Sequence, residues 1–115
     1  MKLKRYLKKA ESEGWAVGQF NFSDSRVLKA IVQAAGRTKA PVIIGTSEGE
    51  SKSVGLAQVR ALIKAYQQET GLLIFLNLDH GKTFGYIKKA IIAGYDAVHF
   101  DGSKLLLEKN IRETK

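Results

Sequence analysis

The sequence predicts an α/β fold built around a parallel sheet. Short apolar segments alternate with longer amphipathic ones along the 115 residues, in the order of one helix followed by four strand–helix pairs. Two predicted strands, residues 41–47 and 72–79, are apolar almost without interruption, which is typical of strands that are covered on both faces. This pattern fits either an open doubly wound sheet or a (β/α)₈ barrel. No GxGxxG follows the first strand, which disfavours a Rossmann dinucleotide site, and no Walker A sequence occurs.

The first elements are a helix, a strand and a second helix. Apolar side chains at helical spacing predict the first helix over residues 3–13. Residues 16–21 read AVGQFN and predict a strand. Ser23 or Asp24 can cap the helix that follows, over about residues 24–37.

The middle of the chain predicts two further strands, separated by a loop and a helix. Pro41 fits the first position of strand 41–47, because proline has no N–H to donate to a sheet. The polar segment 48–55, EGESKSVG, predicts a loop, and an amphipathic helix follows over about residues 55–70. Residues 72–79, LLIFLNLD, predict the third strand.

The last elements are a helix, the fourth strand and a final helix. Thr83 is placed to cap a helix that runs to about Ala93. Residues 96–103, DAVHFDGS, predict the fourth strand, and LLLEKNIRETK begins another helix. The chain therefore offers one helix and four βα units to a parallel sheet.

Composition limits the classes of function. Hydrophobic residues make up 44% of the chain and charged residues 26%, which is typical of a globular protein rather than a disordered one. The absence of cysteine excludes disulfides and thiolate metal sites, so a metal would be held by His, Asp, Glu or water. No apolar run follows the basic N-terminus, and none is long enough to cross a bilayer. We therefore expect a cytoplasmic protein with no membrane partner.

The net charge of +8 raises the question of polyanion binding. The lysines are spread over at least four segments, and no stacking aromatics alternate with them. We therefore expect no nucleic-acid partner, although a positive field favours a phosphorylated substrate.

Polar or small residues follow every predicted strand. The four strands end in QFN, GTSE, NLDHG and HFDGS, at residues 19–21, 45–48, 77–81 and 99–103. Ligands of parallel α/β folds bind at the carboxyl ends of the strands. We therefore expect one rim to carry Asn21, Ser47, Asp79, His80 and Asp101.

Asp79 and His80 are adjacent, so in a regular strand their side chains would point to opposite faces. Both can serve one site only if the strand ends there and the chain turns, and Gly81 supplies the freedom to turn. A neutral imidazole is a good zinc ligand, and a carboxylate beside it can move protons or bind a second metal. The alternatives are a solvated turn in which Asp79 caps the next helix, and an Asx-turn at Asp101.

Three other polar residues near the strand ends have simpler interpretations. His99 has the same parity as Asp101 but lies deeper in its strand, so we expect an interior histidine rather than a metal ligand. Glu48 and Glu50 are expected to lie on the surface of a loop.

These residues together resemble a known family. The segments WAVGQFNFSD, VLKAIVQAAGRTKAPVIIGTSEGE, NLDHGKTFGYIKKAIIAGYDAVHFDGS and EKNIRETK are similar to the N-terminal half of the class II, metal-dependent fructose-bisphosphate and tagatose-bisphosphate aldolases. The LDHG and DGS signatures are the specific part of the match. The resemblance implies a (β/α)₈ TIM barrel, of which residues 1–115 supply an N-terminal helix and about four βα units, a half barrel within one domain.

The resemblance also implies a role for each rim residue. Asp79 matches the catalytic acid/base, which acts on the hydroxyl of the carbon that becomes the aldehyde, and His80 matches the first ligand of the catalytic Zn²⁺. Asp101 matches a ligand of a second divalent metal position. Ser47 matches a contact to the aldehyde-phosphate half of the substrate, and Asn21 lines the pocket. The implied reaction is the reversible cleavage of fructose 1,6-bisphosphate or tagatose 1,6-bisphosphate to dihydroxyacetone phosphate and glyceraldehyde 3-phosphate, in glycolysis.

The chain departs from the family's pattern in length. A barrel of this kind needs about 250 residues, and His80 is the one histidine that matches the implied zinc set. We therefore expect a fragment that binds zinc weakly and lacks aldolase activity alone. Unpaired sheet edges and exposed apolar helix stripes predict self-association, and family members are homo-oligomers.

Two other functions remain open from the sequence. One is a different phosphate-binding barrel metalloenzyme, an epimerase or a decarboxylase. The other is a basic non-enzymatic binding module, which would show a steep salt dependence of its affinity for nucleic acid. The sequence also leaves open whether fructose or tagatose bisphosphate is the substrate.

Overall fold

The computed structural model of the chain describes residues 2–115 and contains four strands and six helices within that range. The strands are β1 (Gly18–Asn21), β2 (Val42–Ser47), β3 (Ile74–Gly81) and β4 (Ala97–Phe100). The helices are α1 (Leu3–Glu13), α2 (Ser25–Thr38), α3 (Glu48–Val54), α4 (Leu56–Thr70), α5 (Phe84–Ala93) and α6 (Leu107–Thr114).

The order of the strands distinguishes the two predicted architectures. All strands are parallel, and the sheet has the order β1-β2-β3-β4, so each strand pairs with the next one along the chain. Doubly wound sheets reverse their strand order at a switch point, whereas a (β/α)₈ barrel adds its strands consecutively. The α/β prediction is confirmed, and the strand order is that of half a barrel.

The outer face of the sheet packs against α2, α4 and α5. Every second residue of β2 and β3 points to this face, in agreement with the alternation of side chains along a strand. The buried side chains of this cluster are Phe22, Leu28, Val32, Ala35, Val42, Ile44, Val59, Ile63, Ile74, Leu76, Leu78, Ile87, Ala90 and Tyr95. Burying one leucine or isoleucine contributes about 1.5–3 kcal/mol, so this cluster is the main source of stability.

The inner face of the sheet, which carries Ile43 and Phe75, packs against α1. Leu3 of α1 is buried in a second cluster with these two residues, and the Tyr6 ring lies 5.7 Å from that of Phe75. Gly14 ends α1 in the left-handed conformation, with a φ of 73°. Ile43 and Phe75 lie near the beginning of their strands, so α1 covers only the amino end of the inner face.

The segment between β2 and α4 differs from its prediction as a loop. Residues 48–54 form α3, because Ser47 and Glu50 make a reciprocal capping box. The Ser47 Oγ accepts the Glu50 backbone N–H at 3.1 Å, and the Glu50 carboxylate accepts the Ser47 N–H at 2.7 Å. Two helix-end donors are satisfied in this way, which starts a helix in a glycine- and serine-rich segment.

Strand boundaries differ by a few residues from the predicted ones. β1 begins at Gly18 rather than at residue 16, β3 continues to Gly81, and β4 ends at Phe100. Within residues 2–115, no helix is both long enough and apolar enough to span a membrane.

Candidate active site

The inner face carries polar residues beyond the layer that α1 covers. In the sheet register, Asn21 pairs with Gly45 and Gly45 pairs with Asn77. Ser47 and Asp79 pair at the carboxyl ends of β2 and β3. In-register residues of parallel strands point to the same face, so these polar side chains lie together at one end of the sheet.

Asn21 reaches across β2 to the carboxylate of Asp79. Its Nδ2 donates to Asp79 Oδ2 at 3.1 Å and lies 3.5 Å from Glu50 Oε2. The path passes over Gly45, where a Cβ would collide with the Asn21 side-chain oxygen. A glycine in the middle strand therefore allows a side chain on β1 to orient a carboxylate on β3.

His80 joins Asp79 at the same end of the sheet through an unusual backbone conformation. Its φ is 58°, in the left-handed region, and the pairing of β3 with β4 shifts register between Leu78 and Gly81. The His80 Nε2 consequently lies 3.8 Å from Asp79 Oδ1, although regular strand geometry would separate the two side chains. The left-handed residue and the register shift bring the two side chains together, whereas the expected end of the strand at this point is wrong, because β3 continues to Gly81.

The expectation that Gly81 supplies the backbone freedom for a turn is also wrong. His80 itself takes the left-handed conformation, and Gly81 is not among the residues with positive φ. Gly81 is instead packed closely, because a Cβ there would lie 2.8 Å from Ile87 and 2.9 Å from Leu78. Gly81 therefore allows α5 to approach the end of β3.

Asp101 holds the other side of the His80 ring. The Asp101 Oδ2 lies 2.9 Å from His80 Nδ1, and its Oδ1 accepts the Ser103 backbone N–H at 3.0 Å. The Asp101 N–H donates to the Gly81 carbonyl at 2.8 Å, which fixes the backbone of both strand ends. The Asx-turn considered for Asp101 is present, and the same carboxylate orients the imidazole. A role for Asp101 as a ligand of a second metal stays a prediction.

The His80–Asp101 pair perturbs the titration of both groups. The hydrogen bond to Asp101 raises the pKa of His80 above its usual range, and the Asp79 charge acts in the same direction. Hydrogen bonds from Ser103 and from His80 hold the pKa of Asp101 well below that of an ordinary aspartate. A carboxylate on Nδ1 leaves Nε2 as the outward-facing nitrogen, the arrangement seen in carboxylate–histidine–metal sites.

Glu48 and Glu50 are structural rather than free on a loop surface. Glu50 caps α3 through Ser47, as described above. Glu48 Oε2 accepts the Lys82 backbone N–H at 3.0 Å, and Glu48 also pairs with Lys52. The pKa of Glu48 is lowered, chiefly by the hydrogen bond from Lys52. α3 thereby holds the backbone of the segment that follows His80 through a hydrogen bond. The sequence pattern does not reveal this contact.

His99 lies at the site and not in the interior. Its side chain is 49% exposed, and its Nδ1 lies 3.7 Å from Asp79 Oδ1. The rings of His80 and His99 meet edge to face, with centroids 4.6 Å apart. The expectation of an interior histidine is therefore wrong, because the inner face is uncovered at this end of β4.

Three donor groups lie close enough together to share one cation. One donor atom each from Asp79, His80 and His99 lies within 4.8 Å of the other two. Two imidazoles and a carboxylate suit Zn²⁺ or a similar borderline cation. The residues present therefore fit a divalent metal.

The described part of the chain matches one known protein family along its length. The family described as "Fructose-bisphosphate aldolase class-II" matches residues 1–115. The chain belongs to the class II fructose-bisphosphate aldolase family. The resemblance read from the LDHG and DGS signatures is thereby confirmed.

Curated relatives extend well beyond the region they share with this chain. A "Fructose-bisphosphate aldolase" of Thermus caldophilus is 39% identical over 109 residues, which cover 95% of this chain and 35% of the relative. A "Probable fructose-bisphosphate aldolase" of Bacillus subtilis is 40% identical, over 94% of this chain and 39% of the relative. A "Sulfofructosephosphate aldolase" of Alkalicoccus urumqiensis is 35% identical, over 97% and 39%. The chain thus spans less than half the length of these relatives.

Solved structures agree with the barrel assignment. The YdjI aldolase of Escherichia coli K12 superposes with a TM-score of 0.86 at 24% identity, over 99% of this chain and 44% of that one. The fructose-bisphosphate aldolase of Campylobacter jejuni gives a TM-score of 0.86 at 21% identity, over 97% and 40%. The half-barrel fold is therefore confirmed.

Proposed function

We propose that this chain provides the acid–base group and the first metal ligand of a zinc-dependent class II ketose-bisphosphate aldolase. The observation that carries the proposal is the approach of Asp79 and His80 at the carboxyl end of a parallel sheet, each oriented by a hydrogen bond on its far side. Family membership supports the same reaction. The substrate is a phosphorylated ketose, and the protein acts in carbohydrate metabolism in the cytoplasm.

Asp79 carries the proton transfer in this proposal. The carbon–carbon bond breaks, the hydroxyl proton of the future aldehyde carbon passes to Asp79, and the bonding electrons stay on the carbon beside the ketone. Oδ1 is the oxygen available for the proton, because Oδ2 accepts the Asn21 amide. In the reverse condensation Asp79 gives the proton back.

His80 and Asp101 act as a unit. Zn²⁺, when bound, acts as a Lewis acid toward the substrate ketone. His80 offers Nε2 as a ligand, because Asp101 faces Nδ1. Asp101 is proposed to contact a second divalent ion through the same carboxylate. Ser47 is proposed to donate its hydroxyl hydrogen to the aldehyde-side phosphate while its Oγ accepts from Glu50.

The test is a coupled cleavage assay on two forms of the protein. The chain alone is expected to show no cleavage, and the chain joined to the remaining part of the B. subtilis relative is expected to cleave a ketose bisphosphate. Fructose and tagatose 1,6-bisphosphates are assayed in parallel, together with sulfofructosephosphate, because one relative carries that name. Robust cleavage by the isolated chain would contradict the expected inactivity of the half barrel.

Asp79→Asn in the joined protein tests the role of the carboxylate. Loss of a general acid–base is expected to lower kcat by roughly 10²–10⁴-fold without loss of bound zinc. Glu69→Gln is the matched control, since Glu69 is an exposed carboxylate near the end of α4 that precedes the amino end of β3. Unchanged kcat in the Asp79 variant would refute the assignment.

We also propose that the open edges of the sheet are association surfaces of the 115-residue chain and, as a separate matter, that the parent protein is a homo-oligomer. β1 and β4 each have one sheet neighbour, and Phe20 on β1 is 54% exposed. An apolar groove of 680 Å³ lies beside it, between β1 and α2. Unpaired edges and apolar faces favour association. Light scattering that shows a soluble, folded monomer of the 115-residue chain across a wide concentration range would contradict association through these edges, and a monomeric joined protein would contradict the homo-oligomer.

A further inference from the structure

We infer that Glu48 is a positioning residue of the candidate active site, which holds the backbone beside His80 so that the imidazole keeps its place next to Asp79. The inference rests on the proposed function for the role of His80, and it goes beyond that function by giving α3 a part in the reaction. Glu48 acts through the backbone N–H of Lys82, two residues beyond His80, rather than on the substrate.

The backbone conformation of His80 needs support from its surroundings. Its φ of 58° lies in the left-handed region, where the Cβ of an L-residue comes too close to the following carbonyl oxygen. Such conformations persist where neighbouring contacts fix them. On the β4 side, the Asp101 N–H donates to the Gly81 carbonyl at 2.8 Å. Relaxation of His80 to regular strand geometry would turn its side chain away from the face that carries Asp79.

On the β2 side, the pairing of the strands ends one residue before His80. Ser47 and Asp79 are the last pair in the register, because the chain leaves β2 after Ser47 to form α3. Glu48 is the first residue of α3, and its Oε2 accepts the Lys82 N–H at 3.0 Å. A side-chain carboxylate therefore holds the backbone on this side at the point where the strand pairing stops.

The Glu48 carboxylate is itself fixed in place. Its side chain is only 13% exposed, so water competes little for the oxygen that accepts the Lys82 N–H. Its Oε1 pairs with Lys52 one turn along α3, which leaves Oε2 for the backbone. A separate contact joins α3 to α5, because the buried Ser51 hydroxyl lies 2.8 Å from the Tyr86 hydroxyl. Removal of that contact provides a matched control for removal of Glu48.

A simpler role for Glu48 is that of a favourable negative charge in the first turn of α3. That role needs the charge and no particular oxygen atom, whereas holding the Lys82 N–H needs an acceptor and no charge. Glu48→Gln separates the two roles, because glutamine keeps a side-chain oxygen in the same position and loses the charge.

The experiment uses the joined protein and observes the backbone directly. NMR follows the amide hydrogen exchange of Lys82 and the backbone ¹³C shifts of His80, and the coupled cleavage assay gives kcat and KM. In Glu48→Ala we expect fast exchange at Lys82, because this exposed residue loses its acceptor, and a change in the His80 shifts. We expect kcat to fall by the roughly 10–100-fold that loss of an outer-shell partner costs. We expect KM to stay unchanged, since Ser47 is not altered.

Three further variants separate positioning from structural damage. Glu48→Met keeps the bulk of the side chain without its oxygens, and it is expected to behave like Glu48→Ala. Glu48→Gln is expected to restore slow exchange at Lys82 and most of kcat. Ser51→Ala is expected to lower the urea midpoint but to leave kcat and the Lys82 exchange unchanged. Far-UV circular dichroism checks that every variant is folded at the assay temperature.

Three results would overturn the inference. The first is unchanged Lys82 exchange and unchanged His80 shifts in Glu48→Ala. The second is a Glu48→Gln variant as slow as Glu48→Ala, which would assign the effect to the charge. The third is an equal loss of kcat in Ser51→Ala, which would assign it to the packing of α3. If the unaltered joined protein cleaves no ketose bisphosphate, the proposed function fails, and the exchange and the shifts still decide whether Glu48 holds the backbone.

Discussion

Replacing Asp101 is expected to weaken zinc binding through His80. The Asp101 carboxylate lies 2.9 Å from His80 Nδ1 and raises the pKa of that imidazole. Asp101→Ala removes both the acceptor and its charge, and outer-shell carboxylates of this kind contribute roughly 10–100-fold to metal affinity. Asp101→Asn keeps an acceptor without the charge, so its effect is expected near the lower end of that range.

The pH of the measurement determines whether the effect is visible. Without Asp101 the pKa of His80 falls toward its ordinary value, so protons compete less with zinc near neutral pH and hide part of the loss. Calorimetry at about pH 8.5, two units above the reference histidine pKa of about 6.5, removes most of this competition. Proton NMR of the His80 ring over the pH range checks the fall in pKa directly.

Two results would refute this reasoning. Unchanged zinc affinity at the higher pH, together with an unchanged His80 pKa, would show that the carboxylate does not orient the ring. A loss of one bound zinc per chain, with the affinity of the remaining zinc unchanged, would show that Asp101 binds a second metal directly. Glu69→Gln again serves as the control, because its carboxylate is exposed on α4.

Three further predictions concern the frame that holds the site. Thr46→Val leaves the buried Tyr95 hydroxyl without its 2.9 Å partner, so urea unfolding should show a loss of about 1–3 kcal/mol. The double variant Thr46→Val/Tyr95→Phe should lose less free energy of unfolding than the sum of the two single variants. Simple additivity would contradict the hydrogen bond between Thr46 and Tyr95. Gly45→Ala should displace the side-chain amide of Asn21, which donates to Asp79. The variant should therefore lower kcat of the joined protein with little change in the urea midpoint. An unchanged kcat in the Gly45→Ala variant would contradict the proposed orientation of Asp79 by Asn21. The lowered pKa of Glu48, held by Lys52, means that its stabilising contribution is complete above the ordinary pKa of about 4.3 and is lost as pH falls below it. Glu48→Gln should therefore flatten the acid side of the stability profile, and a profile identical to that of the unaltered chain would refute this.

The fold and the location of the site were predictable because they depend on short-range pattern. β2 and β3 carry apolar residues on both faces, and this requires that both faces of the parallel sheet are covered. The carboxyl ends of consecutive parallel strands meet at one edge, so the strand pattern alone predicts that Asn21, Ser47 and Asp79 lie together.

The arrangement within the site depends on register and backbone conformation, which the sequence does not display. The shift between Leu78 and Gly81 sets which residues of β4 face Asp79, and it arises only when the two strands pair. The exposure of His99 depends on what covers the end of β4, and its depth in the strand does not reveal this. The α3 helix is different, since Ser47 and Glu50 already form a readable capping-box signature in the sequence.

The position of α1 makes the amino end of the inner face structural and leaves the carboxyl end open to ligands. Leu3, Ile43 and Phe75 close the floor of the inner face with hydrocarbon, while every group proposed to meet a sugar phosphate stands at the opposite end. Substitutions of these buried residues should thus change the free energy of unfolding with little effect on kcat. Substitutions at the carboxyl end should change kcat with little effect on the free energy of unfolding. A lineage of such proteins can accordingly adjust its thermal tolerance and its substrate choice along independent routes.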